Sequence, residues 1–176
     1  MKLLPTSVAG AFVIELEPVA DERGLFIRSF CAETFRAHGL DARVVQCNIS
    51  FSPQRGTLRG MHYQTAPHAE TKLIRCTRGS LHDVIVDLRA DSPSFRRWHA
   101  TRLSAGDPRL LYVPEGCAHG LLTLTDDCEV SYQISQRYHA ESARGVRWDD
   151  PAFGIEWPEA PRVVSARDRG FPDFTA

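Results

Sequence analysis

The sequence lacks long hydrophobic runs and any large excess of charge of one sign. No apolar stretch approaches the roughly 18 residues that a membrane-spanning helix needs. Residues 1–5 hold one lysine, and no sustained apolar segment of the kind found in secretory signals follows them. A formal net charge of -1 argues against a general attraction to nucleic acid or to an anionic membrane. We therefore expect a cytoplasmic protein that binds neither nucleic acid nor membrane.

Cysteines are also few, and their spacing argues against the usual structural role. The chain has 5 of them, an odd number, and no two stand in a CxxC pair. We interpret them as reduced, small apolar side chains rather than as a disulfide framework.

Internal repeats, low-complexity tracts and linkers are absent from the sequence, which favours one domain over residues 1–176. Short strand signals recur about every 8–12 residues with turn residues between them, a pattern typical of a β-sandwich or barrel. One short helix is predicted over residues 32–38. Residues 72–77 and 81–88 flank an Arg-Gly turn and predict a β-hairpin.

Polar residues alternate along one predicted strand, residues 44–50. Gln46, Asn48 and Ser50 lie two positions apart, so that their side chains share one face of the strand. A polar strand face is turned either to solvent or to a wet pocket, and the sequence favours neither.

The segment Pro-Glu-Gly-Cys-Ala-His that ends at His119 has the PxGxxH spacing of the second cupin motif, found at the mouth of a double-stranded β-helix. The preceding histidine strand offers His62, with Gln64 where a metal-binding cupin has a second ligand. Two imidazoles are too few for a stable transition-metal site, and Lys72 would repel a cation. We therefore expect no metal, although a metal-dependent cupin oxygenase remains the alternative of another class.

His62 and Lys72 favour acid–base chemistry in such a pocket. A histidine has an ordinary pKa of about 6.5, which suits proton abstraction near neutral pH. Each residue also has a structural interpretation: a hydrogen-bonded barrel histidine, a solvated strand lysine and, for Tyr132, a core tyrosine. A non-catalytic sugar-binding cupin is therefore a further alternative.

The local pattern around His62 contains a conflict. Simple alternation places Arg59 and His62 on opposite faces of their strand. Gly60 would have to host a bulge or kink for both side chains to enter one pocket.

Several motifs follow one another in a fixed order: Asp21-Glu22-Arg23-Gly24, Gln46-x-Asn48-x-Ser50, Leu58-Arg59-Gly60-Met61-His62-Tyr63-Gln64, Lys72-Leu73-Ile74-Arg75, Pro114-Glu115-Gly116-x-Ala118-His119-Gly120, Trp148-Asp149-Asp150-Pro151 and Ser165-x-x-Asp168. The joint pattern is highly specific. Over about residues 10–170 the chain resembles the dTDP-4-dehydrorhamnose 3,5-epimerases.

That resemblance implies an all-β, cupin-like double-stranded β-helix, or jelly roll, with short peripheral helices. It also implies a homodimer, no cofactor, and a nucleoside-diphosphate 4-keto-6-deoxyhexose as substrate. The reaction would invert C3 and C5 through an enolate, converting dTDP-4-dehydro-6-deoxy-D-glucose to dTDP-4-dehydro-L-rhamnose. A C3-only epimerase and a ketoisomerase acting on a related nucleotide sugar are the nearest alternatives.

The resemblance implies four catalytic residues. His62 would remove the substrate proton, Lys72 would stabilise the enolate, and Tyr132 would return a proton from the opposite face. Asp168 would hold His62 in the useful tautomer. Asp83, on a strand expected to pair with that of Lys72, is a second candidate for supporting the site.

The resemblance also implies the substrate contacts. Arginines suit the diphosphate because a planar guanidinium matches phosphate oxygens, and an aromatic ring would stack on the base. The expected substrate-binding residues are Arg23, Phe26, Gln46, Asn48, Arg59, His119, Tyr138 and Arg167, with Phe26 contributed by the partner subunit.

The chain departs from the family pattern near the expected site. Arg28 stands where glutamate is usual, and Glu70-Thr71 precedes Lys72 where a glutamine–glycine pair is typical. None of these departures removes a catalytic position.

Overall fold

The structure is a computed structural model and describes residues 1–175. Its strands are β1 (Lys2–Pro5), β2 (Phe12–Glu15), β3 (Val19–Asp21), β4 (Gly24–Phe26), β5 (Gln46–Ser52), β6 (Thr57–Gln64), β7 (Lys72–Arg78), β8 (Ser80–Asp87), β9 (Trp98–Ser104), β10 (Arg109–Val113), β11 (Cys117–Thr123), β12 (Cys128–Ile134), β13 (Ala143–Gly145) and β14 (Val163–Val164). Its helices are α1 (Ala32–Ala37) and α2 (Ala166–Arg169). No helix in this described range is long and apolar enough to cross a membrane.

Two large sheets face each other. In the first sheet the strand order is β1-β2-β10-β7-β12-β5, and in the second it is β13-β6-β11-β8-β9, with β14 added in parallel to β6. Strands that follow one another along the chain are often in different sheets, as expected of a jelly roll. The predicted all-β, cupin-like jelly roll is therefore confirmed.

The sheets enclose an apolar core at one end and leave the other end open. Along β7, Ile74 and Cys76 are buried in the core, whereas Lys72 lies at the open end. Along β11, Leu121 is in the core and His119 at the open end. Successive inward side chains of one strand therefore pass from apolar packing to a polar pocket.

The predicted β-hairpin over residues 72–88 is wrong. Strand β7 pairs with β10 and β12 in the first sheet, whereas β8 pairs with β9 and β11 in the second. The turn between them is a crossing from sheet to sheet, with Gly79 at φ +76°, where a Cβ would come within 2.4 Å of Thr125 Oγ1. Asp83 consequently does not lie on a strand paired with that of Lys72, which corrects the second prediction.

The short helix predicted over residues 32–38 is confirmed as α1. Its one buried side chain, Phe35, packs against the outer face of the first sheet, where its ring lies 6.1 Å from that of Tyr112. Helix α1 therefore covers the sheet rather than lining the open end.

The chain after β12 wraps the outer face of the second sheet. Phe153 and Trp157 pack there against Met61 and Val84. The segment then runs as β14 in parallel beside β6, with Val163 opposite Thr57. This return brings α2 next to the middle of β6.

Candidate active site

A cavity of about 910 Å³ opens at the polar end, between the two sheets. It brings together all four predicted catalytic residues and most of the predicted substrate contacts. The predicted residues that line it are Gln46, Asn48, Arg59, His62, Lys72, His119, Tyr132, Tyr138, Arg167 and Asp168.

A histidine–aspartate pair lies at the mouth of the cavity. The Nε2 atom of His62 is 2.7 Å from Oδ1 of Asp168. The side chain of His62 is 39% exposed, whereas that of Asp168 is 5% exposed. A carboxylate accepts hydrogen bonds only, so it fixes the imidazole proton on Nε2 and leaves Nδ1 free to accept another.

Helix α2 and the β6 backbone position Asp168. The Oγ atom of Ser165 caps the helix by accepting from the backbone N–H of Asp168 at 3.0 Å, and the N–H of Gly60 donates to Oδ2 at 3.2 Å. Burial raises the pKa of Asp168, but its bonds to His62, Gly60 and Ser165 outweigh burial and leave that pKa below its usual value. Asp168 is therefore held as an anion beside the imidazole.

The conflict around Gly60 is resolved by a β-bulge. Opposite β11, His62 pairs with His119 and Arg59 pairs with Leu121, so β6 holds one more residue than its neighbour between these pairs. Gly60 has φ +143°, and a Cβ there would lie 2.5 Å from the Cα of Gly120. Only glycine fits this close approach, and the bulge turns both Arg59 and His62 towards the cavity.

Lys72 reaches the cavity from β7, in the opposite sheet. Its side chain is 10% exposed, and its Nζ donates to the backbone carbonyl of His62 at 3.1 Å. The same Nζ lies 3.1 Å from Oε1 of Glu70. A cation is thus held next to the imidazole-bearing strand.

Tyr132 faces the cavity from β12, also in the first sheet. Its hydroxyl lies 3.4 Å from the Oγ of Ser50, and burial raises the pKa of its phenol well above the usual value. Tyr132 therefore keeps its proton at neutral pH and can act as a donor. Because His62 belongs to β6, the two groups approach the cavity from opposite sheets.

A second histidine–aspartate pair lies deeper. The Nε2 atom of His119 is 2.5 Å from Oδ1 of Asp83, and the two side chains are 6% and 0% exposed. The imidazole of His119 also meets the ring of Tyr132 edge-on, with centroids 6.1 Å apart. Asp83 therefore supports His119, across β8 and β11, rather than Lys72.

Cationic and aromatic residues form the rim. Arg59 is fixed by bonds from Nε to Ser52 Oγ at 3.1 Å and from a terminal nitrogen to the carbonyl of Phe51 at 3.0 Å. Tyr138 is 59% exposed, and its backbone N–H donates to Oε1 of Gln46 at 3.2 Å. The rim therefore offers a guanidinium and an open aromatic ring.

Two predicted substrate contacts lie elsewhere. Arg23 and Phe26 belong to the projecting β3–β4 hairpin, where Phe26 is 72% exposed and Arg23 pairs with Asp21 at 2.5 Å. Within one chain the structure does not bring them to the cavity. A contribution from a second subunit stays a prediction.

The polar residues of the cavity wall to which sequence reasoning assigned no role include Ser50, Gln64, Glu70 and Arg144. Ser50 shares the alternating face of Gln46 and Asn48, which is one wall of the pocket rather than a solvent face. Within residues 1–175 no group of three or more His, Cys, Asp or Glu side chains is arranged to hold a metal ion.

Known proteins are similar to this chain over most of its length. A family model described as dTDP-4-dehydrorhamnose 3,5-epimerase matches residues 5–176. A curated dTDP-4-dehydrorhamnose 3,5-epimerase of Sinorhizobium fredii is 44% identical over 169 residues, covering 96% of this chain and 87% of that protein.

Solved structures are similar over almost the whole chain. The dTDP-4-dehydrorhamnose 3,5-epimerase of Bacillus anthracis, with TDP and PPi bound, has a TM-score of 0.94 and 39% identity, covering 98% of this chain and 99% of that one. A 3'-monoepimerase of Streptomyces bikiniensis in complex with dTDP-quinovose has a TM-score of 0.88 and 37% identity, covering 96% and 86%.

Proposed function

The chain belongs to the dTDP-4-dehydrorhamnose 3,5-epimerase family, and on that premise we propose that it is a cytoplasmic, cofactor-independent epimerase of nucleotide sugars. It inverts C3 and C5 of a dTDP-4-keto-6-deoxyhexose, converting dTDP-4-dehydro-6-deoxy-D-glucose to dTDP-4-dehydro-L-rhamnose.

One observation carries the proposal: a base and a proton donor enter one cavity from opposite sheets. His62 reaches in from β6, and Tyr132 reaches in from β12. Inversion of a carbon centre requires a proton to leave from one face and another to arrive at the opposite face. A sugar ring between the two sheets would present one face to each group.

The chemistry begins at the 4-keto group, which acidifies the protons on C3 and C5. Nδ1 of His62 takes one of these protons while Asp168 stabilises the resulting imidazolium. The electron pair moves onto the ketone oxygen, and the Lys72 ammonium stabilises that enolate charge. Tyr132 then protonates the carbon from the other face. Before the next centre reacts, His62 releases the proton it has taken to solvent, and Tyr132 regains one from solvent.

The rim supports recognition of the nucleotide end. The diphosphate carries negative charge, and Arg59 and Arg167 both line the cavity and offer guanidinium groups. Tyr138 is positioned to stack on the base, and His119 contacts the sugar or a phosphate. Gln46 and Asn48 supply further polar contacts along β5.

A homodimer would complete this site. Strand β5 is an edge of its sheet with Ile49 70% exposed, and the β3–β4 hairpin exposes Val19 (69%) and Leu25 (64%) as well as Phe26. Apolar side chains exposed on an edge strand and a hairpin are typical of a surface that another chain covers. A second copy bound there would bring its Arg23 and Phe26 to the cavity.

Epimerisation at C3 alone is the second candidate. The similarity to a 3'-monoepimerase favours it, because the relative has the same fold at a TM-score of 0.88. Both reactions use one base and one acid, and they differ in whether the sugar ring flips to present C5.

The experiment that separates the candidates follows solvent deuterium by NMR. The protein is mixed with dTDP-4-keto-6-deoxyglucose in heavy water without added metal, and label is expected at both C3 and C5. Label at C3 alone would establish the monoepimerase. No label at either carbon would overturn the proposed function for this substrate.

The variant Tyr132→Phe extends the same measurement to the proton donor. The enolate forms before Tyr132 acts, so exchange at C3 should persist while inverted product falls by about a hundredfold. Equal loss of exchange and inversion would contradict the assignment of Tyr132 as the acid.

A further inference from the structure

Glu70 is a carboxylate of the cavity wall to which the proposed reaction gives no role. Its side chain is 12% exposed. Its two oxygens point to different partners: Oε1 lies 3.1 Å from Nζ of Lys72, and Oε2 accepts from Nε2 of Gln64 at 3.0 Å. Glu70 therefore joins the proposed electrophile to a second buried polar group.

The contacts of Lys72 show what this carboxylate does locally. An ammonium has three N–H donors. One donates to the backbone carbonyl of His62 and one to Glu70, which leaves a third for a group in the cavity. Two acceptors from different parts of the chain restrict where Nζ can lie, and a flexible four-carbon side chain needs such restriction to present a fixed charge.

The contacts of Gln64 show what holds Glu70. Gln64 is 3% exposed, and its Nε2 also donates to the carbonyls of His68 at 3.0 Å and Arg137 at 3.1 Å. Its Oε1 accepts from the backbone N–H of His139 at 2.6 Å. These bonds tie the amide to both neighbours of Tyr138, so one continuous network runs from the rim to Lys72.

This chain has a carboxylate at a position where glutamine is typical of the family. A carboxylate has two acceptor oxygens and no donor, so it can accept from the Lys72 ammonium and the Gln64 amide at the same time. A glutamine side chain would have only one acceptor oxygen, and its NH₂ group would face one of the two donors.

We propose that Glu70 is a positioning residue for this reaction, holding the Lys72 ammonium beside His62 and itself held by Gln64. The inference rests on the proposed function, because its effect is felt where Lys72 meets the enolate. Glu70 acts through Lys72 and does not exchange protons with the substrate.

The variant Glu70→Gln tests the inference, with Glu33→Gln on the exposed face of α1 as the matched control. We expect kcat for exchange to fall about tenfold in Glu70→Gln. A displacement of about 1 Å at a reacting group lowers the rate about a hundredfold, and the tenfold figure corresponds to a smaller displacement of the Lys72 ammonium. The Kd for dTDP alone should stay within about twofold, because Gln64 keeps its bonds to the segment around Tyr138. Glu33→Gln should match the wild type in both.

A double variant distinguishes positioning from a general structural role. If Glu70 acts through Lys72, then Glu70→Gln should lower kcat no further when Lys72→Ala is already present. A tenfold loss in both backgrounds, or a loss of dTDP binding equal to the loss of kcat, would overturn the inference.

Measurements on the wild-type protein distinguish a failure of the Glu70 inference from a failure of the proposed function. Exchange in the wild type together with unchanged kcat in Glu70→Gln would sink the positioning role alone. Absence of exchange in the wild type would instead overturn the proposed function, and dTDP binding would then show whether the nucleotide end of the site still works.

Discussion

The two histidine–aspartate pairs of this protein have the same chemistry and different surroundings. His62 and His119 are cross-strand neighbours on β6 and β11, and each bonds an aspartate through Nε2, at 2.7 Å and 2.5 Å. The side chain of His62 is 39% exposed, and that of His119 is 6% exposed. The aspartates come from different elements: Asp168 from α2 and Asp83 from β8.

The difference in exposure supports His62, rather than His119, as the proposed base. A base must reach the substrate and exchange its proton afterwards, which the exposed edge of His62 permits. The His119 pair is enclosed by the two sheets, and Oδ2 of Asp83 has no hydrogen-bond partner among the described residues. Such a buried pair fixes the shape of a cavity wall, and breaking it carries a cost in stability.

The largest expected effect comes from removing each imidazole in turn. His62→Ala should lower deuterium exchange by about a thousandfold, the scale of a lost general base, with little change in melting temperature. His119→Ala should lower the free energy of unfolding by about 3 kcal/mol, because it leaves Asp83 buried without its partner. Measurements of deuterium exchange and thermal unfolding on both variants check this contrast. Equal exchange rates in His62→Ala and His119→Ala would contradict it.

A smaller effect is expected from replacing each aspartate by its amide. Asp168→Asn should lower kcat by about a hundredfold, since an amide can donate to the ring and favour the wrong tautomer. Asp83→Asn should alter stability more than kcat. Steady-state kinetics and urea unfolding of the two variants would test this difference between the two aspartates. A larger loss of kcat in Asp83→Asn than in Asp168→Asn would contradict it.

The smallest expected effect is a pH dependence of stability. The pKa of Asp168 is lower in the folded protein than its ordinary value. The contribution of the ionised carboxylate to the free energy of unfolding is therefore complete above about pH 4, and it is lost as the pH falls through the folded pKa. The stability of Asp168→Asn should therefore fall less steeply than that of the wild type below about pH 4. Parallel curves from denaturation at several pH values would contradict this.

Much of the fold could be predicted from the sequence because its signals are local. The spacing of short strands and the cupin motif ending at His119 indicated the jelly roll, and the helix signals after residue 31 indicated α1. The hairpin prediction failed because a turn at Gly79 looks the same whether the chain folds back within one sheet or crosses to the other. Pairing partners far along the chain, such as β7 with β12, decide between these outcomes.

The site was predictable to the extent that its residues carry recognisable chemistry. His62, Lys72 and Tyr132 were singled out by residue type, whereas Asp168 and the roles of all four followed from the family resemblance. The structure gathers the four side chains in one cavity. Glu70 lacked any motif of its own, and its position depends on how β7 begins relative to Gln64. The sequence alone therefore did not reveal that Glu70 is the counter-charge of Lys72.

The bulge at Gly60 changes which alternate residues of β6 face the cavity. Before it, the odd-numbered Arg59 faces the cavity, and after it the even-numbered His62 does, while Met61 packs on the outside. One extra residue thus exchanges the inner and outer faces of the remainder of β6. Straightening the bulge with every residue retained would therefore restore regular alternation and present the apolar Met61 to the cavity in place of the imidazole.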